Sequence, residues 1–302
     1  MKLPKTLGGI GYPDVQLKLL AFKMMILVKF WKTNETLPWH HFAQRSINRN
    51  KLFDEIINSF RKHGISRVGL DRILIGNRMV MLEKVCVKDF YSFLISEKYG
   101  QFTNRAENYW IEFYPSFDWK PIWRVSLLKF SDGFSKNIHF YMLHNAHNTK
   151  RKLSHFSPHP PYCALCSSRG IDTDETTKHA FLDCFRAQEL YNSLLPFWRN
   201  LGFSNVSEEN KIFGFCSLNT DVDKIANLSI LAAHRAIWQN RNFFDRNNVE
   251  RDVFEFFKGI YLKMLQNLLL SVPIEEFRIK YGTSTGITVV NGFDIRVSWS
   301  SI

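Results

Sequence analysis

A chain of 302 residues that is 45% hydrophobic and 15% aromatic can bury a core, which excludes a disordered tail. Its formal charge of +12 favours polyanionic partners, and no run reaches the ~20 apolar residues that a membrane span needs. Five cysteines, three of them in one short window, suit a metal site in a reducing compartment better than a disulfide framework, so a nuclear or cytoplasmic protein is expected rather than a secreted one.

Leu7-Gly8-Gly9-Ile10-Gly11-Tyr12-Pro13-Asp14 reads as a loop whose Pro-Asp step starts a helix. Leu17, Leu20, Ala21, Met24, Leu27, Val28 and Trp31 then fall at helical spacing over 14–31. From 36 to 118 polar and aromatic residues alternate, and short helices are predicted at 51–62, 71–76 and 87–98, with further ones at 119–128 and 136–153. Ser157-Pro158-His159-Pro160-Pro161 ends any helix, because consecutive prolines remove donors and force extended backbone. After the cysteine window, Leu182, Leu190, Leu194, Phe197 and Trp198 predict a helix interrupted by Pro196 near its end, and two clearer helices follow at 222–244 and 250–270. The last segment, 286–299, reads as a β-hairpin in which an Asn291-Gly292 turn sets Val290 opposite Phe293. Cys86 and Cys216 lie in apolar stretches and are expected to be small buried hydrophobes. The fold class is therefore mainly α: helical bundle segments around a small metal-binding module, with a C-terminal hairpin.

Cys163-Ala164-Leu165-Cys166 is a C-x-x-C knuckle, whose spacing lets two thiolates reach one ion from a tight turn. Twelve residues separate Cys166 from His179, and four more separate His179 from Cys184, a second ligand pair at the spacing of a helical turn. Asp172-Thr173-Asp174-Glu175 supplies a helix start just ahead of His179. Three thiolates and an imidazole complete a tetrahedral shell for one structural Zn²⁺ with no open position for water. Such a cluster carries about one negative charge, which Arg169, Lys178 and Arg186 are placed in sequence to offset. Two other readings are a set of buried free thiols and a redox C-x-x-C pair, although a redox pair has no need of His179 and Cys184.

The window and its flanks resemble the zinc-binding domain that follows the polymerase in LINE-type non-LTR retrotransposon reverse transcriptases. The residues that carry the resemblance are Trp119 and Trp123, Phe140 to His144, Pro161-Tyr162-Cys163, Cys166, Glu175-Thr176, His179-Ala180-Phe181 and Cys184. Downstream, Ala236-Ile237-Trp238-Gln239-Asn240-Arg241-Asn242 is similar to the Ile-Trp-x-x-Arg-Asn helix of that family, and the loop at 7–14 is similar to its post-thumb connector. On this basis the chain divides into a connector at 1–35, a helical segment at 36–118, a zinc-binding domain at 119–200 and a helical C-terminal region at 201–302.

What the resemblance implies is a part that helps hold template RNA or target DNA beside a polymerase. Polymerisation needs paired carboxylates for two metal ions, and no Asp-Asp pair occurs in the chain. Nor is there an H-E-x-x-H or a G-x-x-x-x-G-K-[ST] motif. The expected function is a non-catalytic nucleic-acid-binding remnant with no small-molecule substrate and no membrane partner. Its candidate phosphate contacts are Lys150, Arg151 and Lys152, together with Arg169, Lys178 and Arg186, and each basic cluster is equally compatible with a solvated helix face. A structural or protein-interaction module, or a retroelement fragment with no function, is the alternative.

Overall fold

A computed structural model describes residues 14–32, 51–68, 71–99, 105–116, 118–215, 220–282, 286–290 and 294–299. The loop at 7–13, Cys216 and the Asn291-Gly292-Phe293 turn lie outside the described residues. The chain divides between 103 and 104 into two compact units. These cut the sequence elsewhere than the four segments above. No helix among the described residues is long and apolar enough to cross a membrane.

The first unit packs α1 (Val15–Lys32) against α2 (Lys51–Lys62), strands β1 (Ser66–Val68), β2 (Arg72–Ile75) and β3 (Arg78–Met81), and α3 (Val87–Tyr99). Ala21, Met24, Leu27 and Val28 of the predicted stripe are buried with Ile56, Phe60, Ile73, Ile75, Phe90 and Leu94. Asp14 caps α1: its Oδ1 accepts from the N–H groups of Gln16 and Leu17 at 3.1 and 3.2 Å, and its Oδ2 accepts from Lys98 Nζ at 2.9 Å. The Lys98 hydrogen bond, more than burial opposes it, holds this carboxyl down at about 2.

The predicted helix at 71–76 is instead the centre of a three-stranded antiparallel meander, β1-β2-β3, with Ile73 opposite Val80 and Ile75 opposite Arg78. Ile73 and Ile75 point inward two residues apart, a strand period in β-branched residues. Gly76 takes φ +58 at the first position of the two-residue connection, the position that type II′ turns reserve for glycine. A Cβ there would stand 2.6 Å from the Phe93 ring. Cys86 is exposed rather than buried, and its thiol donates to Asp89 Oδ2 at 3.1 Å.

The second unit runs through α4 (Arg105–Ile111), α5 (Trp119–Val125), α6 (Gly133–Leu143), α7 (Lys150–Leu153), α8 (Ala164–Ser167), a π-helical turn (His179–Asp183), α9 (Phe185–Asn200), α10 (Glu208–Phe213), α11 (Asp221–Asn247), α12 (Val253–Leu269) and α13 (Ile274–Phe277), and ends in β4 (Ile287–Val290) and β5 (Asp294–Val297). The spine is α11, which packs against α6, α8, the π turn, α9 and α12. It starts in a capping box between Thr220 and Asp223 and stops at Asn248, whose φ of +51 is left-handed. The helix predicted over 136–153 is split in two, because Asn145 turns left-handed at φ +45 and the chain re-enters helix only at Lys150. Pro196 does not interrupt α9. The carbonyl it deprives of a partner belongs to Asn192, which faces solvent.

The hairpin forms, but Val290 pairs with Asp294 rather than Phe293, so three residues, 291–293, connect its strands. The inward residues Ile287 and Ile295 fix this register by joining the core. Trp299 closes the layer among Phe197, Phe254, Phe257 and Tyr261, with ring centroids 5.4–5.8 Å apart.

Candidate metal centre

Cys163 is set by a short antiparallel clip: Tyr162 bridges Asp174, the Cys163 N–H donates to the Thr173 carbonyl at 2.8 Å, and the Glu175 N–H donates to the Pro161 carbonyl at 2.9 Å. One turn of helix, α8, then raises Cys166, and Gly170 at φ +76 reverses the chain. The second ligand pair has a less common device. Residues five apart on an α-helix point about 140° away from each other. Here the Cys184 N–H donates to the His179 carbonyl at 2.7 Å, an i→i+5 bond that closes a π turn and brings both side chains to one face. The Thr176 hydroxyl accepts from the His179 N–H at 3.0 Å and steadies the start of that turn.

All four candidate ligands are brought together as the spacing predicts. Cys163, Cys166, His179 and Cys184 are each 5% exposed or less, and their ligand atoms lie within 4.8 Å of one another. Bonds of about 2.3 Å to sulfur and 2.0–2.1 Å to nitrogen at tetrahedral angles give edges of about 3.8 Å between sulfurs and about 3.6 Å between sulfur and nitrogen. Three of the six separations match these edges: 3.9 Å from Cys163 Sγ to Cys184 Sγ, 3.9 Å from Cys166 Sγ to Cys184 Sγ and 3.5 Å from Cys166 Sγ to His179 Nε2. A buried cluster of this shape can hold one metal ion.

The surroundings favour thiolates that share a cation. The backbone N–H groups of Cys166, Phe185 and Arg186 serve the sulfurs of Cys163, Cys166 and Cys184 in turn, and the last two open the 16-residue helix α9, whose positive end therefore faces the cluster. Left to themselves the thiols oppose one another. The hydrogen bond from Cys184 holds Cys163 low, the same bond and then burial push Cys184 up, and burial pushes Cys166 up.

Beneath the ligands lies a contact between two residues that are 66 apart in sequence. Arg241 of α11 grips Glu175 with two bonds, Nε to Oε1 at 2.5 Å and Nη2 to Oε2 at 2.6 Å, while Glu175 Oε2 also accepts from the Lys150 N–H at 2.8 Å. Glu175 is 1% exposed. One residue ties the metal loop, the start of α7 and the spine helix together. Next to it Phe181 stacks on Trp238 at 5.6 Å and 11°, and His147 lies 4.1 Å from the same indole.

The six basic residues put forward as phosphate contacts are all engaged within the chain. Lys150 pairs with Asp245 at 2.5 Å, Arg151 with Asp174 at 3.0 Å and Lys178 with Asp183 at 2.7 Å. Lys152 donates to the carbonyls of Asn145 and His147. Arg186 holds Glu189 and Glu250, and Arg169 lies 4.0 Å from Glu250, with both guanidiniums over the Phe185 ring at 5.2 and 3.7 Å.

Gly282-Thr283-Ser284-Thr285-Gly286 spells G-x-S-x-G, the pattern of a hydrolase nucleophile elbow. That motif needs a strand followed by a helix. Here a π-helical turn ending at Gly282 precedes and β4 follows, the reverse order, and Ser284 itself lies outside the described residues. Comparison with protein-family models, curated proteins and solved structures gives no match.

Proposed function

We propose that the chain is a non-catalytic nucleic-acid-binding protein folded around one structural zinc ion, derived from the tail of a non-LTR retrotransposon reverse transcriptase. The observation that carries the zinc assignment is the buried cluster of three sulfurs and one imidazole nitrogen, all within 4.8 Å of one another, with three of the six separations at 3.5–3.9 Å. Thiolate and imidazole donors at tetrahedral edges suit Zn²⁺, and an ion held by four protein ligands has no open position for an activated water. Its role is then to fold the loop. The charge of +12 supports a polyanionic partner, and the lack of an Asp-Asp pair argues against polymerase chemistry. Supporting the retroelement origin, residues quoted for the resemblance from separate stretches meet in space, Glu175 with Arg241 and Phe181 with Trp238.

One observation favours a second reading, a protein-interaction module in which zinc only supports folding: the six basic residues around the metal loop are spent on internal partners. A salt titration separates the two. Binding to single-stranded RNA through several phosphates falls with a log–log slope of about −0.7 per phosphate and binding to duplex DNA with about −0.9, whereas an apolar protein interface has little slope. Measurable binding with a steep slope supports the first reading, and no binding at low salt selects the second. Primer extension with Mg²⁺ or Mn²⁺ is expected to be absent in both.

A further inference from the structure

The C-terminal half of α11 departs from the pattern of the rest. Gln239, Asn242, Phe243 and Arg246 follow one another at i, i+3, i+4 and i+7, a single face of the helix. Among the described residues no neighbour seals this face. With Phe134 near the start of α6 and Arg251 in the connection to α12, it lines a groove of about 340 Å³. That is at the small end of ligand clefts, which span about 300–1,000 Å³.

The lining combines three kinds of group. Phe134 is 51% exposed, with the Arg235 guanidinium over its ring at 5.1 Å from the centroid. The Arg251 guanidinium lies over the Phe243 ring, 3.1 Å from its centroid, a second flat surface. Among the described residues no carboxylate lies within ion-pair distance of Arg246 or Arg251, in contrast to Arg235 close by, which Asp132 neutralises at 3.0 Å. The amides are half used: Gln239 Oε1 accepts from Arg235 Nε at 3.1 Å and Asn242 Oδ1 accepts from Arg241 Nη1 at 2.8 Å, and among the described residues neither NH₂ group has an acceptor.

A ligand that satisfies all of these has a flat π face, an edge of hydrogen-bond acceptors and adjacent negative charge. An unpaired nucleobase with its phosphates has all three. An acidic peptide would meet the arginines but leave the rings without a flat partner, and a duplex keeps its base faces stacked inside. We infer that this groove takes a base of a single-stranded nucleic acid, stacked on Phe134 or on the Phe243–Arg251 pair, with Arg246 and Arg251 on the flanking phosphates. The inference rests on the nucleic-acid-binding reading and locates its surface.

The test uses the full chain, a fluorescein-labelled 12-mer of oligo-uridine and a salt series followed by anisotropy. Phe134→Leu, alone and with Phe243→Leu, keeps apolar bulk and removes ring faces; Phe134 is exposed enough that its replacement leaves the fold intact, checked by an unchanged thermal midpoint. The double ring variant is expected to bind about tenfold more weakly with the same salt slope. Arg246→Gln with Arg251→Gln is expected to bind more weakly and to flatten the slope by about 1.4, the share of two phosphates. If wild type binds the 12-mer and the ring variants bind within twofold of it, the groove is not the site and the wider reading stands. If wild type binds no nucleic acid at low salt, both fall. If only the arginine variant weakens binding, and polyglutamate displaces the 12-mer at equal charge, the groove is a docking surface for acidic protein and the inference is overturned.

Discussion

Arg241 and Glu175 show how much of the metal loop's order depends on side chains that cannot touch a metal. The pair is desolvated, with Glu175 at 1% exposure, and its two hydrogen bonds are short. Removing one partner strands the other, which costs about 3–5 kcal/mol for a buried pair, whereas replacing both by apolar residues is far milder. Arg241→Met should therefore lower the stability of the protein by about that amount in urea unfolding, and adding Glu175→Leu should recover much of it. A cost below about 1 kcal/mol for the single variant would remove the pair from this role. The four ligands were legible in the sequence because C-x-x-C and the spacing to His179 and Cys184 are local patterns with a chemical reason. The ion pair was not: both residues stand in stretches that carry the resemblance, but they are 66 residues apart and nothing local in either stretch says that they meet.

At the scale of elements, long helices with continuous apolar faces were readable, as at 14–31, 222–244 and 250–270, whereas short ones depended on the turn that follows. Over 71–76 four strand residues are too few to establish a period, and only Gly76-Asn77 and the two β-branched isoleucines hinted at a hairpin. Over 136–153 the break rests on one left-handed asparagine. The seam between α6 and α11 also carries a consequence for pH. His139 Nδ1 meets His234 Nδ1 at 2.9 Å, and His234 Nε2 donates to the Lys211 carbonyl at 2.8 Å, so His234 is the acceptor and His139 the donor of a neutral pair. His147 donates from Nε2 to the Ile138 carbonyl at 2.9 Å. Burial draws His234 and His147 down to about 4, with Lys152 and Arg241 adding to the effect at His147, and burial also draws His139 well below the usual imidazole range. The unfolded chain protonates first, so stability is full above about pH 7 and falls as pH drops from about 6.5 towards 4, by up to about 3 kcal/mol for each of the two. Urea midpoints at pH 7.5, 6 and 5 should fall steadily, and His147→Gln, which keeps a donor and cannot charge, should lose less between 6.5 and 5. Equal losses in both proteins would show that His147 does not contribute.

At the scale of the molecule, the metal loop is part of the larger core: Cys163, Cys166 and Cys184 share one buried cluster with the apolar residues of α9, α11 and α12. Loss of the proposed ion is then expected to disturb more than the loop, because Phe181 of the π turn packs against Trp238 of the spine. Chelation under reducing conditions should lower the unfolding temperature of the second unit and open its chain to protease first between 160 and 184; protection unchanged by complete metal removal would make the ion incidental. The whole account turns on whether the four ligands hold an ion, and the most direct measurement is metal content per chain, by elemental mass spectrometry, of protein purified under reducing, metal-replete conditions. The expected result is one zinc per folded chain, with Cys184→Ser holding substantially less. A folded wild-type chain with no zinc, or a Cys184→Ser chain that retains a full equivalent, would contradict it.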